Sequence, residues 1–166
     1  MTISSQEAFS KALVQSLIGE RGHLPIARAL SDIDLELSGR SLENSPYTIY
    51  QLISHMNYWQ DFMLTHLKGE KPQMPANVSE SWPTEVQAVD EATWQDVLDR
   101  FLQGIDYACE LARTMNLEQP LVYFPGETAA GLLRNIASHN TYHLGEIVLL
   151  RRLFGAWPPP GGGYPA

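Results

Sequence analysis

The chain has 166 residues, 44% of them hydrophobic, and a formal net charge of −8, which predicts one globular domain spanning 1–166 with a single core. The acidic charge disfavours nucleic acid as a partner, and no apolar run approaches the roughly 20 residues of a membrane-spanning helix. The single cysteine, Cys109, excludes an internal disulfide, and the N-terminus lacks a secretory-signal pattern, so we expect a cytoplasmic protein.

The first predicted helix covers residues 4–20, with an apolar side and a polar start. Ser4 or Ser5 can cap this helix, and Glu7 can complete a capping box. Gly22 and Pro25 interrupt the pattern, and the periodicity of residues 25–38 predicts one or two short helical turns.

The second long helix is predicted over 47–68. Its inward stripe, at spacings of three and four residues, holds Thr48, Leu52, His55, Trp59, Phe62 and His66. The connection 69–91 is rich in proline and has no periodicity, which is typical of a long surface loop. We expect Trp82 to anchor this loop and the loop to help close a site.

The third helix is predicted over 92–115, where Gly104 could allow a close approach of another helix. Residues 119–126 form an extended link, and Glu127 or Thr128 begins the last helix. Four long helices without a convincing strand predict an all-α fold, an antiparallel four-helix bundle.

The last helix, centred on 136–154, carries two histidines within its apolar stripe. The stripe consists of Leu132, Ile136, His139, His143, Ile147, Leu150 and Phe154. Residues four apart stack on one face of a helix, so His139 and His143 could bind the same metal ion. His55 occupies an equivalent inward place on the second helix and supplies a third nitrogen.

Three histidines would leave at least one coordination position open, as in a catalytic site. Cys109 is the only thiol, so a cysteine-rich structural zinc site is excluded. The reacting group would then be a metal-bound water or thiol, and no side chain is identified as catalytic. The protease motif His-Glu-x-x-His is absent, because Asn140 stands where its glutamate would be.

Four further residues are candidates for the surroundings of the metal. Glu146 could orient an imidazole, and Tyr142, Asn57 and Trp59 could line a pocket.

The remaining chemically active residues are expected to be structural. His66 lies too far along its helix to share an ion with His55, and His23 falls in an irregular segment. Cys109 is expected to be a packing residue.

The sequence resembles the DinB/YfiT-like metalloprotein superfamily over most of its length. The segment SPYTIYQLISHMNYW at 45–59, followed by LKGE at 67–70, is similar to the second helix of that family. The last helix and tail of that family resemble HNTYHLGEIVLLRR at 139–152 followed by GAWPPP at 155–160. Its first connection resembles HLP at 23–25 with Ala29-Leu30.

The resemblance implies an up-down-down-up four-helix bundle, often a homodimer. It implies one divalent ion, commonly nickel or zinc, on histidines that match His55, His139 and His143. Some members are thiol S-transferases that use a low-molecular-weight thiol in detoxification, and others are described as metal-dependent hydrolases. A small-molecule substrate is therefore expected.

Two other interpretations stay open at this point. The protein could be a non-catalytic metal-binding stress or sensor module, or a bundle whose histidines are packed without an ion.

Overall fold

The computed structural model describes residues 4–163 and is built from six α-helices. In chain order they are α1 (Ser5–Ile18), α2 (Ile26–Ala29), α3 (Leu35–Gly39), α4 (Ile49–Leu67), α5 (Glu91–Thr114) and α6 (Ala129–Leu153). A 3₁₀ turn, Val78–Ser81, lies in the connection between α4 and α5. The described residues contain no β-strand, and the link before α6 is held by one isolated bridge between Pro120 and Thr128. The predicted all-helical fold is confirmed.

The long helices begin at side chains that accept hydrogen bonds from the first free backbone N–H groups. Ser4 caps α1 in a capping box with Glu7, as predicted. Thr48 caps α4 in a capping box with Gln51, and the side chains of Asp90 and Thr128 cap α5 and α6 without one. These caps place each helix start within two residues of the position that the sequence indicates.

The four long helices form a bundle in which α1 and α4 each pack against both α5 and α6. The Ser10 hydroxyl, near the start of α1, donates to Ala112 O near the end of α5, so these two helices are antiparallel. Asn57 and Gln60 of α4 bond to Val97 O and Phe101 O in matching order, so α4 and α5 are parallel.

Helices α4 and α6 are antiparallel, because Leu52 lines the same cavity as Leu149 whereas Gln60, later in α4, bonds to the earlier Asn140. The bundle therefore has the up-down-down-up order that the family resemblance implies. The connection 68–90 must run back along the bundle so that α5 can start beside the start of α4.

A chain of buried amides crosses the core from α6 through α4 to α5. Asn140 of α6 is fully buried and donates from Nδ2 to Gln60 Oε1 at 2.8 Å. Gln60 in turn donates from Nε2 to Phe101 O of α5 at 3.0 Å. A Cβ atom at Gly104 would collide with this Gln60 amide. Gly104 thus permits the close helix contact that was expected of it.

Within residues 4–163, no helix is both long enough and apolar enough to cross a membrane.

Candidate metal centre

Three imidazoles from two antiparallel helices converge inside the bundle. His55 lies on α4, and His139 and His143 lie one turn apart on α6. The Nε2 atoms of His55 and His139 are 3.3 Å apart, and the possible ligand nitrogens of all three residues lie within 4.8 Å of one another. The structure thus brings together the three histidines that the stripes on the two helices predicted.

These distances fit a shared metal ion. Nitrogen atoms bound about 2.0–2.1 Å from a tetrahedral zinc ion lie roughly 3.4 Å from one another. The His55–His139 separation already has this value. The donor set is three imidazole nitrogens, which suits zinc, nickel, copper or iron(II).

Burial keeps two of the three histidines, His55 and His139, in the neutral form that binds metals. His55 is 5% exposed and His143 is 7% exposed. Desolvation, with a smaller contribution from repulsion by His139 and His143, lowers the pKa of His55 from 6.5 to about 4. Desolvation, followed by repulsion from His143, likewise lowers the pKa of His139 to about 4. Both side chains are therefore neutral at pH 7 and have a lone pair to offer.

The hydrogen bonds of Ser81 determine which nitrogen of His55 carries the proton. The Ser81 hydroxyl donates its hydrogen to Val78 O at 2.7 Å. Its contact with His55 Nδ1 at 2.9 Å must then be one in which Nδ1–H donates. The unprotonated Nε2 of His55 consequently faces the other two histidines, which is the tautomer a metal requires.

Glu146 acts on His143 in the same way. Its carboxylate oxygen Oε2 accepts from His143 Nδ1 at 2.6 Å, three residues along the same helix. This leaves His143 Nε2 as the free lone pair. A carboxylate on the outer nitrogen of a metal-binding histidine is a recurrent arrangement that fixes ring orientation. Glu146 thus lies where a residue orienting an imidazole was expected.

The long connection 68–90 covers one side of the site with the indole of Trp82. The indole of Trp82 stacks on the His55 ring with centroids 3.7 Å apart, and Tyr47 stacks on the opposite face of the indole at 3.6 Å. The sequence indicated Trp82 as an anchor for a covering loop, and the structure places it there. The sequence does not indicate Ser81, since no periodicity distinguishes it from Ser79 in the same connection.

The other candidate residues lie at different distances from the histidines. Tyr142 is 68% exposed and contacts the edge of the His143 ring, with centroids 5.0 Å apart. Trp59 is half-buried one turn beyond His55 and packs on Phe62. Asn57 lies on the opposite side of α4, where its amide donates to Val97 O, so it contributes to the α4–α5 contact instead of the site.

The remaining histidines and the cysteine have the structural surroundings that were expected. His66 is buried between Phe62 and Phe124, and burial lowers its pKa. His23 bonds to Leu24 O and to the Thr141 hydroxyl at the surface of α6.

Cys109 is buried within α5, and desolvation raises the pKa of its thiol. A thiol in this setting is a poor nucleophile.

Comparison with known proteins relates the chain to one family. The family model of the DinB superfamily matches residues 27–147, a range that contains all three converging histidines. No curated protein and no solved structure matches the chain. The matched range covers most of the chain and all of α4 and α5. This protein is therefore a member of the DinB superfamily.

Proposed function

We propose that this protein is a metal-dependent enzyme that transfers a low-molecular-weight thiol to a small electrophile. The ion would be divalent, nickel or zinc, and would be held by His55, His139 and His143. The observation that carries the proposal is the convergence of three imidazoles, two of them buried and one partly buried, with possible ligand nitrogens within 4.8 Å of one another. A divalent ion with an open position lowers the pKa of a bound thiol or water and polarises a substrate.

The surrounding side chains prepare the histidines for this task. Ser81 and Glu146 hold the outer Nδ1 protons of His55 and His143, so that both rings present Nε2 inward. Trp82 covers one face of the His55 ring, and Tyr47 supports the indole from its other face. Preorganisation of this kind reduces the reorganisation needed when a ligand binds.

Thiol transfer is favoured over hydrolysis by the absence of a free general base among the described residues around the histidines. Asn140 is bonded to Gln60 in the core, and the Glu146 carboxylate is engaged with His143. Coordination deprotonates a thiol outright, so thiol transfer needs no such base. In the reaction, sulfur bonds to the electrophilic carbon, the leaving group departs with its electron pair, and the thiol proton passes to solvent.

The test begins with metal content. Untagged protein that has never met a chelator or a metal-affinity column should contain about one divalent ion per chain by elemental analysis. His139→Ala should lose this ion, whereas His66→Ala, a buried histidine outside the site, should keep it. Absence of stoichiometric metal in the native protein would contradict the proposal.

Turnover is tested with monobromobimane or chlorodinitrobenzene and a panel of low-molecular-weight thiols. The proposal predicts thiol-dependent product formation that His139→Ala abolishes and His66→Ala preserves. Turnover of ester or amide substrates without any thiol would instead indicate a hydrolase.

A non-catalytic metal-binding module is the second candidate, favoured by the same absence of a free general base. It predicts melting that depends on the metal together with no turnover of any thiol and electrophile pair.

A further inference from the structure

A cavity of about 270 Å³ lies beside the metal centre, between the segment 42–47 and the second half of α6. Its walls are mainly leucine side chains: Leu42, Leu52, Leu149, Leu150 and Leu153. An apolar cavity of about 150 Å³ accommodates benzene, so this one can hold a ring with a short substituent. Leu149 and Leu153 are more than half exposed, at 56% and 57%, which leaves the cavity open to solvent.

Three lining residues connect the cavity to the histidines. Glu146 bonds to His143 Nδ1, and Leu52 lies one turn before His55 on α4. Tyr47 stacks on Trp82, which stacks on His55. A molecule in the cavity would therefore lie against two groups that orient the histidines. One is the Glu146 carboxylate on His143, and the other is the aromatic stack of Tyr47 and Trp82 on His55.

The wall formed by the segment 42–47 is shaped by its own hydrogen bonds. The Ser45 N–H donates to Leu42 O at 3.0 Å, and the Ser45 hydroxyl donates to Tyr47 O at 2.9 Å. Asn44 between them adopts a left-handed backbone with φ of 70°, a conformation asparagine tolerates well. The cavity is thus formed before any ligand binds, as is usual for small-molecule sites.

The charges around the cavity select the kind of molecule it can take. Glu43 and Glu146 both line it, and the described lining includes no lysine, arginine or histidine. The whole chain has a net charge of −8. Glu146 is engaged with His143, so the selection depends on Glu43, which disfavours an anion beside it and tolerates a neutral or cationic group.

We propose that this cavity binds the apolar, uncharged or cationic part of the substrate and holds it beside the three histidines. The inference rests on the proposed function only in calling the occupant a substrate. Binding in the cavity can be measured without turnover, so the two proposals can fail separately.

Three probes of matched shape test the inference: phenethylamine, 2-phenylethanol and phenylacetate, each titrated at pH 7 into the protein as purified. Leucine methyl resonances in NMR spectra report binding at Leu42, Leu149 and Leu153. They distinguish occupation of the cavity from coordination of a probe to metal. We expect the amine and the alcohol to shift these methyl signals, and phenylacetate to bind about tenfold more weakly than the amine.

Two variants locate the effect. Leu149→Trp should fill the cavity and weaken binding of the amine and the alcohol by at least about tenfold, whereas the control Val122→Trp, at an exposed site elsewhere, should not. Glu43→Gln should reduce the preference for the amine over the alcohol while leaving the alcohol's affinity unchanged. Neither Glu43 nor Leu149 forms a hydrogen bond with a histidine of the metal centre.

Equal binding of phenylacetate and phenethylamine would overturn the charge selection. Absence of methyl shifts at millimolar probe, or probe binding unaffected by Leu149→Trp, would overturn the site itself. A change of oligomeric state in Leu149→Trp, with no probe binding to the unaltered protein, would show that a second copy of the chain covers this face instead.

Discussion

The imidazole of His55 lies face to face with the indole of Trp82, with ring centroids 3.7 Å apart and planes inclined by 10°. This contact joins α4, which contributes one histidine, to the connection between α4 and α5, directly after the 3₁₀ turn Val78–Ser81. The neighbouring Ser81 bonds to the same imidazole, so two consecutive residues of the connection determine the orientation of His55.

Replacement of Trp82 by alanine should loosen the connection and weaken the metal centre. The indole stacks on two rings, and each such pair contributes about 0.5–1.5 kcal/mol beyond the burial of its surface. We expect Trp82→Ala to lower the free energy of unfolding by roughly 2 kcal/mol, measured in urea with metal present. Trp82→Phe retains a stacking ring and should lose less than half of this; equal losses would contradict the role of stacking.

Ser81→Ala should reduce metal affinity without unfolding the protein. The change removes the acceptor that holds the His55 Nδ1 proton, and loss of such a partner typically lowers metal affinity about 10–100-fold. Competition with a chromophoric chelator measures this affinity. Ser79→Ala, in the same turn but exposed, is the matched control, and an equal effect of both changes would disprove a specific role for Ser81.

Glu146→Ala should have a similar effect through His143. Glu146→Gln retains a side-chain oxygen that can accept from Nδ1, so its affinity should fall between those of the unaltered protein and the alanine variant. Chelator competition again provides the measurement. If glutamine and alanine weaken metal binding equally, the hydrogen bond alone does not explain the contribution of Glu146.

The metal-free protein should lose stability as the pH falls from 6.5 towards 4. In the folded state the pKa of His55 and of His139 is lowered to about 4, whereas in the unfolded chain both titrate near 6.5. Between these values the unfolded chain binds protons that the folded protein does not, so protonation favours unfolding. Urea midpoints of chelator-treated protein across this range would reveal the slope.

The double variant His55→Gln/His139→Gln is the control for this pH dependence. It removes both titrating groups but leaves the buried His66, so its urea midpoints should change less between pH 6.5 and pH 4. An unchanged slope would assign the pH dependence to other groups.

Two glycines in helices should respond to alanine in opposite directions. A Cβ at Gly104 would collide with the Gln60 amide, so we expect Gly104→Ala to destabilise the protein by about 1–3 kcal/mol. A Cβ at Gly145 would meet nothing within 4 Å, so Gly145→Ala should stabilise α6 by up to about 1 kcal/mol. Thermal or urea unfolding of both variants measures the difference; the same sign for both would refute the packing argument.

The sequence by itself determined the helices, their starts and the three histidines. Periodicity placed His55, His139 and His143 on inward stripes, because a helix brings residues three and four apart onto one face. Capping residues such as Ser4 and Thr128 marked helix starts for a local reason, since they bond to backbone groups only two or three residues away. The family resemblance added the expectation of a metal.

Only the tertiary structure decided which residues complete the site. Ser81 and Trp82 reach His55 across more than 25 residues of chain, and the position of a loop without periodicity depends on packing that no local pattern encodes. Asn57 shares α4 with His55 but faces α5, because α4 packs against α5 on one side and α6 on another, and only that packing decides which neighbour each side chain meets. The cavity bounded by Tyr47 and Glu146 likewise exists only where separate segments meet, since its walls come from parts of the chain about a hundred residues apart.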